Sequence, residues 1–282
     1  MTKRKVKSKV TGFRTEDGAG VSLVRVLGNQ TVKEFDPILM LDSFDSINPD
    51  EYTAGFPLHP HRGIETISYL ARGKMVHKDT LGNEDTITDG EVQWMNAGSG
   101  ILHEEMVPKA DRLLGVQLWL NLPMNDKLSK PYYHAIRKDN IKEIEFPYGI
   151  IRLLAGSYKG YTGFKGLHLP LDYYDIHLES NGEITLDTDE DSSIMVFTLL
   201  GDIIIEGEII KEKTAAKLTN GDKLTIKNDG DFAQILFIST KALKEPVAWA
   251  GPIVMNTQKE LEEAFNDLNT GNFIRDDLKF ED

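Results

Sequence analysis

Short strand-like segments separated by turn residues run through most of this 282-residue chain. Runs of five to eight residues rich in Val, Ile, Thr, Tyr and Phe alternate with clusters of Gly, Asn and Asp, which is typical of strands joined by tight turns. Clear examples lie at residues 65–70, 195–200, 202–206 and 234–239. This density of short strands predicts a β-sandwich or barrel, not a fold in which strands and helices alternate.

One helix is indicated near the C-terminus. Thr257 and Glu260 have the spacing of a capping box, in which each side chain accepts a hydrogen bond from the other residue's backbone N–H. Apolar residues follow at helical spacing: Leu261, Ala264, Phe265 and Leu268. Gly271 is placed to end the helix. The sequence therefore predicts a short amphipathic helix whose apolar stripe covers a barrel.

The length of the chain suits two domains of roughly 140 residues each. A weak internal repeat supports this division, because Gly73 and Gly201 each follow an apolar run and precede a strand. A stretch with several prolines, residues 122–148, separates the two halves. We predict an N-terminal domain of residues 1–130 and a C-terminal domain of residues 131–282.

Charge and composition limit the classes of function. The formal net charge is −13, so most of the surface repels nucleic acid. The basic run between residues 3 and 9 is interpreted as a solvated first strand. The chain has no cysteine, which excludes disulfides and thiolate ligands. No apolar leader and no run of about 18 apolar residues is visible. We expect a cytoplasmic protein with no membrane or nucleic acid as a direct partner.

Three of the seven histidines lie in two compact clusters, at residues 59–65 and 98–105. Residues i and i+2 of a strand point to the same side. His59 and His61 would therefore aim two imidazoles at one point, and His103 and Glu105 would do the same from a second strand facing them across a barrel. Together they predict a metal pocket of three nitrogens and one carboxylate.

The ligand types restrict the metal but do not select it. Imidazole and carboxylate ligands suit Fe(II), Ni, Mn, Cu, Co or Zn, and the Irving–Williams order prevents a choice from the residues alone. We expect one divalent transition metal, with Fe(II) as the leading choice. Four protein ligands leave open positions on an octahedral metal, where a substrate or oxygen can bind.

The segments around these residues resemble the pirin family of the cupin superfamily. One reads His-Pro-His-Arg-Gly-Ile-Glu-Thr from His59, and another reads Gly-Glu-Val-Gln-Trp-Met-Asn-Ala-Gly-Ser-Gly-Ile-Leu-His up to His103. Residues 35–42 and 251–257 resemble the segments near the family's two ends. The resemblance covers almost the whole chain. It implies an all-β bicupin, with two packed β-barrel (jelly-roll) domains, a short C-terminal helix and the metal in the N-terminal barrel.

Carried over position by position, the resemblance implies four metal ligands: His59, His61, His103 and Glu105. Glu104 would point the other way on its strand and is not counted as a ligand. Glu65 lies where many other cupins place a ligand. We interpret Glu65 as a structural or supporting residue, with direct ligation as the alternative.

The C-terminal half is predicted to hold no metal. Alignment on the internal repeat places the ligand positions near Asp187, Asp189, Gln234 and Leu236, none of which is an imidazole. The remaining histidines are interpreted as ordinary strand or loop residues: His77, His134, His168 and His177.

The resemblance implies quercetin 2,3-dioxygenase activity. In that reaction a flavonol binds the metal through its 3-hydroxyl, oxygen attacks the ring, and carbon monoxide and a depside are released. Glu105 would accept the hydroxyl proton as a general base. A flat aromatic substrate needs an apolar slot, for which Phe56, Trp94 and Met95 are candidates, with a place in the barrel core as their alternative role.

The resemblance also implies a second class of function, a metal-dependent regulatory protein that acts through protein partners. Such a protein would be a transcriptional cofactor or a regulator of metabolic enzymes. A change in the redox state of the metal would alter the shape or charge of the surface around it. The acidic net charge disfavours direct DNA binding but permits binding to a protein that binds DNA.

Overall fold

The structure is a computed structural model that describes residues 2–275, and it confirms the all-β prediction. In chain order, the strands are β1 (Val6–Thr11), β2 (Phe13–Asp17), β3 (Val21–Leu27), β4 (Ile38–Ser46), β5 (Phe56–His61), β6 (Ile64–Arg72), β7 (Met75–Asp79), β8 (Glu84–Ile87), β9 (Glu91–Asn96), β10 (Ile101–Met106), β11 (Leu113–Asn121), β12 (Tyr132–Ile136), β13 (Lys142–Phe146), β14 (Gly149–Ala155), β15 (Ser157–Tyr158), β16 (Tyr161–Thr162), β17 (Leu171–Glu179), β18 (Glu183–Asp187), β19 (Ser193–Leu200), β20 (Ile203–Ile205), β21 (Glu208–Ile210), β22 (Thr214–Leu218), β23 (Lys223–Lys227), β24 (Phe232–Thr240), β25 (Ala248–Ala250) and β26 (Ile253–Met255). The helices are α1 (Val32–Phe35) and α2 (Gln258–Thr270). Short 3₁₀ turns lie at Asn29–Thr31, Pro49–Glu51, Met124–Asp126 and Lys138–Asn140.

The chain forms two compact units, each made of non-contiguous segments. The N-terminal unit comprises residues 14–25, 38–138 and 243–282. The C-terminal unit comprises residues 1–13, 26–37 and 139–242. The segment after residue 242 therefore belongs to the N-terminal unit, and the first strand, with its basic residues, belongs to the C-terminal unit. The last seven residues of the predicted C-terminal domain lie outside the described residues.

Each unit contains a seven-stranded and a four-stranded antiparallel sheet. In the N-terminal unit the strand orders are β12-β9-β6-β11-β4-β3-β2 and β5-β10-β7-β8. In the C-terminal unit they are β1-β22-β19-β24-β17-β14-β13 and β18-β23-β20-β21. Edge strands such as β1 and β18 alternate between more and less buried residues, whereas central strands such as β6, β11 and β19 are buried on both faces.

The interior of the C-terminal unit is apolar. Its core contains Ile151, Ile176, Val196, Leu224 and Phe237, all almost fully buried. Burial of aliphatic and aromatic side chains of this kind is the main favourable contribution to folding.

The predicted C-terminal helix is confirmed as α2. Thr257 and Glu260 form the capping box, and Gly271 ends the helix with a left-handed backbone at φ 77°. Leu261 and Ala264 are buried and pack with Ile253 of β26. The helix therefore covers the N-terminal unit through its apolar stripe.

Arg62, which lies between β5 and β6, binds this C-terminal segment to the region of the first histidine cluster. Its guanidinium is buried and donates to Asp267 at 2.8 Å and to the carbonyl of Phe273 at 2.9 Å. The backbone carbonyl of Arg62 accepts from the N–H of Val254 at 3.1 Å. Residues 254–273 are thus fixed beside residue 62.

Lys127 also connects the C-terminal segment to the start of β6, through Val254 and Gly63. Its buried ammonium donates to Asn121 Oδ1 at 2.5 Å and to the carbonyls of Gly63 and Val254 at 2.7 and 3.0 Å. Burial lowers the pKa of Lys127 to about 7, yet only the protonated ammonium can donate to all three acceptors at once.

None of the helices within residues 2–275 is long and apolar enough to cross a membrane.

We expect Lys127→Met to lower the free energy of unfolding by about 2–3 kcal/mol, because three buried acceptors lose their donor. Chemical denaturation measures the change, and limited proteolysis should show earlier cleavage after residue 242. Lys109→Met, at an exposed lysine, is the matched control. Equal stability of the two variants would contradict the role given to Lys127.

Candidate metal centre

Two neighbouring strands bring the three predicted histidines together. β5 and β10 pair in antiparallel register, with His103 directly opposite His59. The Nε2 atom of His59 lies 3.0 Å from Nε2 of His61 and 3.0 Å from Nε2 of His103. The two strands are neighbours in one sheet. The sequence interpretation, which had them facing each other across a barrel, is wrong on this point. Adjacent pairing brings the imidazoles closer than opposite walls would allow.

Backbone carbonyls fix the proton position on two of these imidazoles. Nδ1 of His59 lies 2.9 Å from the carbonyl of Pro57, and Nδ1 of His61 lies 3.1 Å from the carbonyl of Pro252. A carbonyl only accepts, so each Nδ1 carries the hydrogen and each Nε2 keeps a lone pair. Pro252 comes from the C-terminal segment, which therefore completes the site.

Burial keeps the imidazoles of His61 and His103 neutral. It lowers the pKa of His61 to about 3, with a further contribution from the neighbouring His59. Burial also holds the pKa of His103 well below its ordinary value, and the nearby His61 and His59 add to the effect. Neutral imidazole is the form that binds a metal.

The resulting donor set fits a metal ion. Two pairs of nitrogen atoms lie at a distance where, without a shared proton or cation, their lone pairs repel each other. With metal–nitrogen bonds of about 2.1 Å, a separation of 3.0 Å corresponds to an angle of about 90° at the metal. A tetrahedral angle would need about 3.4 Å. The spacing of His59 from its two neighbours therefore suits octahedral coordination.

Glu105 lies beside the histidines but is held by other side chains. Its Oε2 atom is 3.9 Å from Nε2 of His103. Gln93 donates to Oε1 at 2.6 Å and Gln117 donates to Oε2 at 2.9 Å. The ligand nitrogens of the three histidines lie within 4.8 Å of one another, and this group does not include Glu105. The carboxylate is thus buried next to the nitrogen set and anchored by two amides.

Those amides belong to one row of inward-facing residues. Gln117 pairs with Ser68, and Ser68 pairs with Gln93, on neighbouring strands of the seven-stranded sheet. Trp119 Nε1 donates to Gln117 Oε1 at 3.3 Å. An indole nitrogen only donates, so this bond turns the amide nitrogen of Gln117 towards Glu105.

His77 and Asp79 join the site from the neighbouring strand β7. His77 is fully buried, and its Nδ1 lies 3.3 Å from Nδ1 of His103. Its Nε2 lies 2.8 Å from Asp79 Oδ2. Burial acts to raise the pKa of Asp79, but hydrogen bonds from His77 and Asn83 outweigh it, so the pKa lies below its ordinary value.

The interpretation of His77 as an ordinary strand histidine is therefore wrong. The same i, i+2 spacing that identified the other pairs is present in His77-Lys78-Asp79 and could have revealed it. His134, by contrast, is exposed on its strand. His177 lies in the C-terminal unit, 3.0 Å from the buried Asp175, and His168 lines a cavity there of about 650 Å³.

The two other glutamates point away from the histidines. Burial alternates along β10, where His103 and Glu105 are buried and Glu104 is partly exposed. On β6, Glu65 is an odd number of residues from the inward-facing Ser68, so it lies on the opposite face. Tyr132 donates to Glu65 at 2.9 Å. Burial raises the pKa of Glu65 to about 7, against hydrogen bonds from Trp94 and Tyr132.

The aromatic residues nearest to the site are not all those expected. Phe56 packs edge-on against Phe44 in the core. Trp94 contacts Glu65 on the outward face, whereas Met95 lies on the inward face. The sequence reasoning did not single out Trp119, whose ring lies 5.0 Å from that of His61. Trp249 of the C-terminal segment lies 5.8 Å from Trp119.

Comparisons with known proteins agree with this architecture. Residues 20–120 match the family Pirin, and residues 173–274 match the Pirin C-terminal cupin domain. A crystal structure of quercetin 2,3-dioxygenase from Acinetobacter baumannii is similar, with a TM-score of 0.88 and 30% identity over 96% of this chain and 98% of that one. The fold is thus a bicupin, as the resemblance implied.

Full-length relatives extend this similarity. A pirin-like protein of Caulobacter vibrioides is 37% identical over 97% of this chain and 100% of its own length. Human pirin is 31% identical over 94% of this chain and 92% of its own. The chain belongs to the pirin family.

We expect Glu65→Gln to make the protein more stable at about pH 8 and to leave metal content unchanged. Folding raises the pKa of Glu65 from 4.5 to about 7, so its contribution to stability is complete below pH 4.5 and is lost as pH rises through 7. The gain at high pH should be about 2–3 kcal/mol. Denaturation at about pH 5 and pH 8, with the exposed Glu16→Gln as control, measures it. Loss of metal would contradict the structural role of Glu65.

Proposed function

We propose that this chain binds one divalent transition metal and uses it to cleave a flavonol or a related enol with O2. The proposed ligands are His59, His61, His103 and Glu105. The observation that carries the proposal is the convergence of three imidazole nitrogens beside a buried, anchored carboxylate. The proposal keeps the metal in the part predicted as the N-terminal domain, residues 1–130, and none in residues 131–282.

Fe(II) remains our leading choice of metal, with Ni, Mn, Cu, Co and Zn as alternatives. Imidazole and carboxylate ligands suit several of these ions, and affinity alone favours copper over iron. When bound, the metal supplies a Lewis-acidic point that lowers the pKa of a substrate hydroxyl.

Glu105 is the proposed general base. Its carboxylate is next to the open side of the histidine set and can accept the proton of the substrate's enolic hydroxyl. Donation from Gln93 and Gln117 holds the carboxylate in place before the substrate arrives. Dioxygen then adds across the enolate ring, and ring opening releases carbon monoxide and the ester product, so that both oxygen atoms are incorporated into products.

Aromatic side chains near the histidines favour a flat aromatic substrate. Trp119 stands edge-on to His61, and Met95 lies on the same face of the sheet, with Thr66 of the intervening strand between it and Trp119. Large apolar surfaces next to a few oriented polar groups are typical of small-molecule sites. The quercetin 2,3-dioxygenase from A. baumannii, which covers the same two domains, supports this substrate class.

We expect His61→Ala to lose both bound metal and oxygen-dependent loss of flavonol, because one of three nitrogen ligands and the contact to Pro252 disappear. Elemental analysis of protein prepared without air, followed by quercetin absorbance in air, measures both. His134→Ala, at an exposed histidine, is the control. Activity that persists in metal-free protein would place the active site elsewhere.

The same assay separates the two proposed classes of function. If the wild-type protein holds about one metal per chain and consumes no flavonol with any of the metals named, the oxygenase proposal fails. The metal-dependent regulatory protein acting through a protein partner then becomes the better description.

We expect Glu105→Gln to reduce kcat by a factor of about 10² or more, because a neutral amide cannot accept the proton. The substitution is sterically mild. Within residues 2–275, the buried Oε1 atom of Gln93 has no hydrogen-bond partner, so rotation of that amide would offer an acceptor to the new side chain. Activity is normalised to metal content, with Glu104→Gln as control. A kcat close to that of the wild type would exclude Glu105 as the base.

A further inference from the structure

We propose that Asp79 and His77 are positioning residues that set the proton position on His103 and so keep its Nε2 lone pair available to a metal. The inference rests on the metal site of the proposed function. It does not depend on which reaction, if any, that metal supports.

The three residues form one continuous chain of contacts. Asp79 Oδ2 is 2.8 Å from His77 Nε2, and His77 Nδ1 is 3.3 Å from His103 Nδ1. The strand register explains the arrangement, because Asp79 lies opposite His103 and His77 lies opposite Glu105 on the paired strands β7 and β10. Alternation then places all four side chains on one face.

The direction of each hydrogen bond follows from Asp79. Its carboxylate only accepts, and it also accepts from the backbone N–H groups of Leu81 and Asn83 and from the Asn83 amide. His77 must therefore carry a hydrogen on Nε2, and the neutral imidazole with this hydrogen has its lone pair on Nδ1. His103 must then carry its hydrogen on Nδ1. The remaining lone pair of His103 is on Nε2, the atom 3.0 Å from His59.

Packing keeps His77 in this orientation. The side chains of His77 and Asp79 are both fully buried. The imidazole of His77 stacks on Tyr133, with ring centroids 4.3 Å apart and planes 17° from parallel. Rotation of the His77 ring out of its plane would break this stack and both hydrogen bonds. The hydrogen-bond direction that Asp79 sets on His77 therefore also determines the direction between His77 and His103.

His103 differs in this respect from the other two histidines. The proton positions on His59 and His61 are set by backbone carbonyls, which no side-chain substitution removes. The proton position on His103 is set by side chains alone. Partners of this kind typically change metal affinity by 10–100-fold, since they fix the tautomer and the basicity of the ligand. A side-chain substitution can therefore change the proton position on His103, and with it the metal affinity of this ligand.

The decisive variant is Asp79→Asn, which keeps the shape of the side chain but can donate to His77 Nε2. That donation reverses the chain and moves the hydrogen of His103 to Nε2. In metal-free protein, ¹⁵N NMR of labelled histidines should show His103 protonated on Nδ1 in the wild type and shifted towards Nε2 in the variant. Titration with Ni²⁺ or Zn²⁺ should show affinity reduced by about 10–100-fold.

Asp89→Asn is the matched control. Asp89 also accepts from a backbone N–H in a turn of the same unit, that of Gly73 at 2.7 Å, and contacts no histidine among its described partners. It should leave the tautomers and the affinity unchanged. Thermal unfolding of both variants shows whether any loss of affinity reflects unfolding.

His77→Phe tests the proposal if Asp79→Asn does not fold. Phenylalanine keeps the stack on Tyr133 but offers no nitrogen to His103, so His103 should become a mixture of tautomers, with affinity reduced by a similar factor. An unchanged His103 tautomer and unchanged affinity in either folded variant would overturn the proposal. A wild-type protein without oxygenase activity would leave it standing, because neither measurement involves turnover.

Discussion

The pairing of β5 with β10 is the interaction on which the site depends. It sets His103 opposite His59, while the two-residue repeat of the strand adds His61 on the same side. The Nε2 atoms of three imidazoles are then held at close range. This arrangement is electrostatically unfavourable until a cation is bound, and it persists because backbone carbonyls, Asp79 and the surrounding sheets restrain each ring. Such pre-organisation is expected of a site built for binding.

The two units use similar sheets but fill them differently. In the C-terminal unit the space between the sheets is filled by aliphatic and aromatic side chains. In the N-terminal unit the inward faces carry Ser68, Gln93 and Gln117 around the buried Glu105. Buried polar groups cost stability unless they are hydrogen-bonded, and here the amides bind the carboxylate while Trp119 orients one of them. Both units have an apolar core, and the N-terminal unit adds a polar network that holds the carboxylate of Glu105.

The C-terminal segment links the end of the chain to this site. Pro252 holds His61, Val254 accepts from Lys127, and Asp267 binds Arg62. Each contact joins residues far apart in sequence, so the arrangement of the candidate site includes this last segment of the N-terminal unit. Long-range contacts of this type are costly in chain entropy and make the assembly of the site cooperative with folding of the unit.

The sequence by itself determined the strand content, the capped helix and the grouping of His59, His61, His103 and Glu105, because these follow from local periodicity and spacing. The tertiary structure alone decided which strands are neighbours, that Glu65 and Trp94 face away, and that His77, Asp79, Trp119 and Pro252 complete the site. The His77-Lys78-Asp79 spacing was visible, but its meaning depended on the register of β7 against β10. Periodicity reports which residues share a face of one strand, whereas pairing between strands arises from packing of the whole unit.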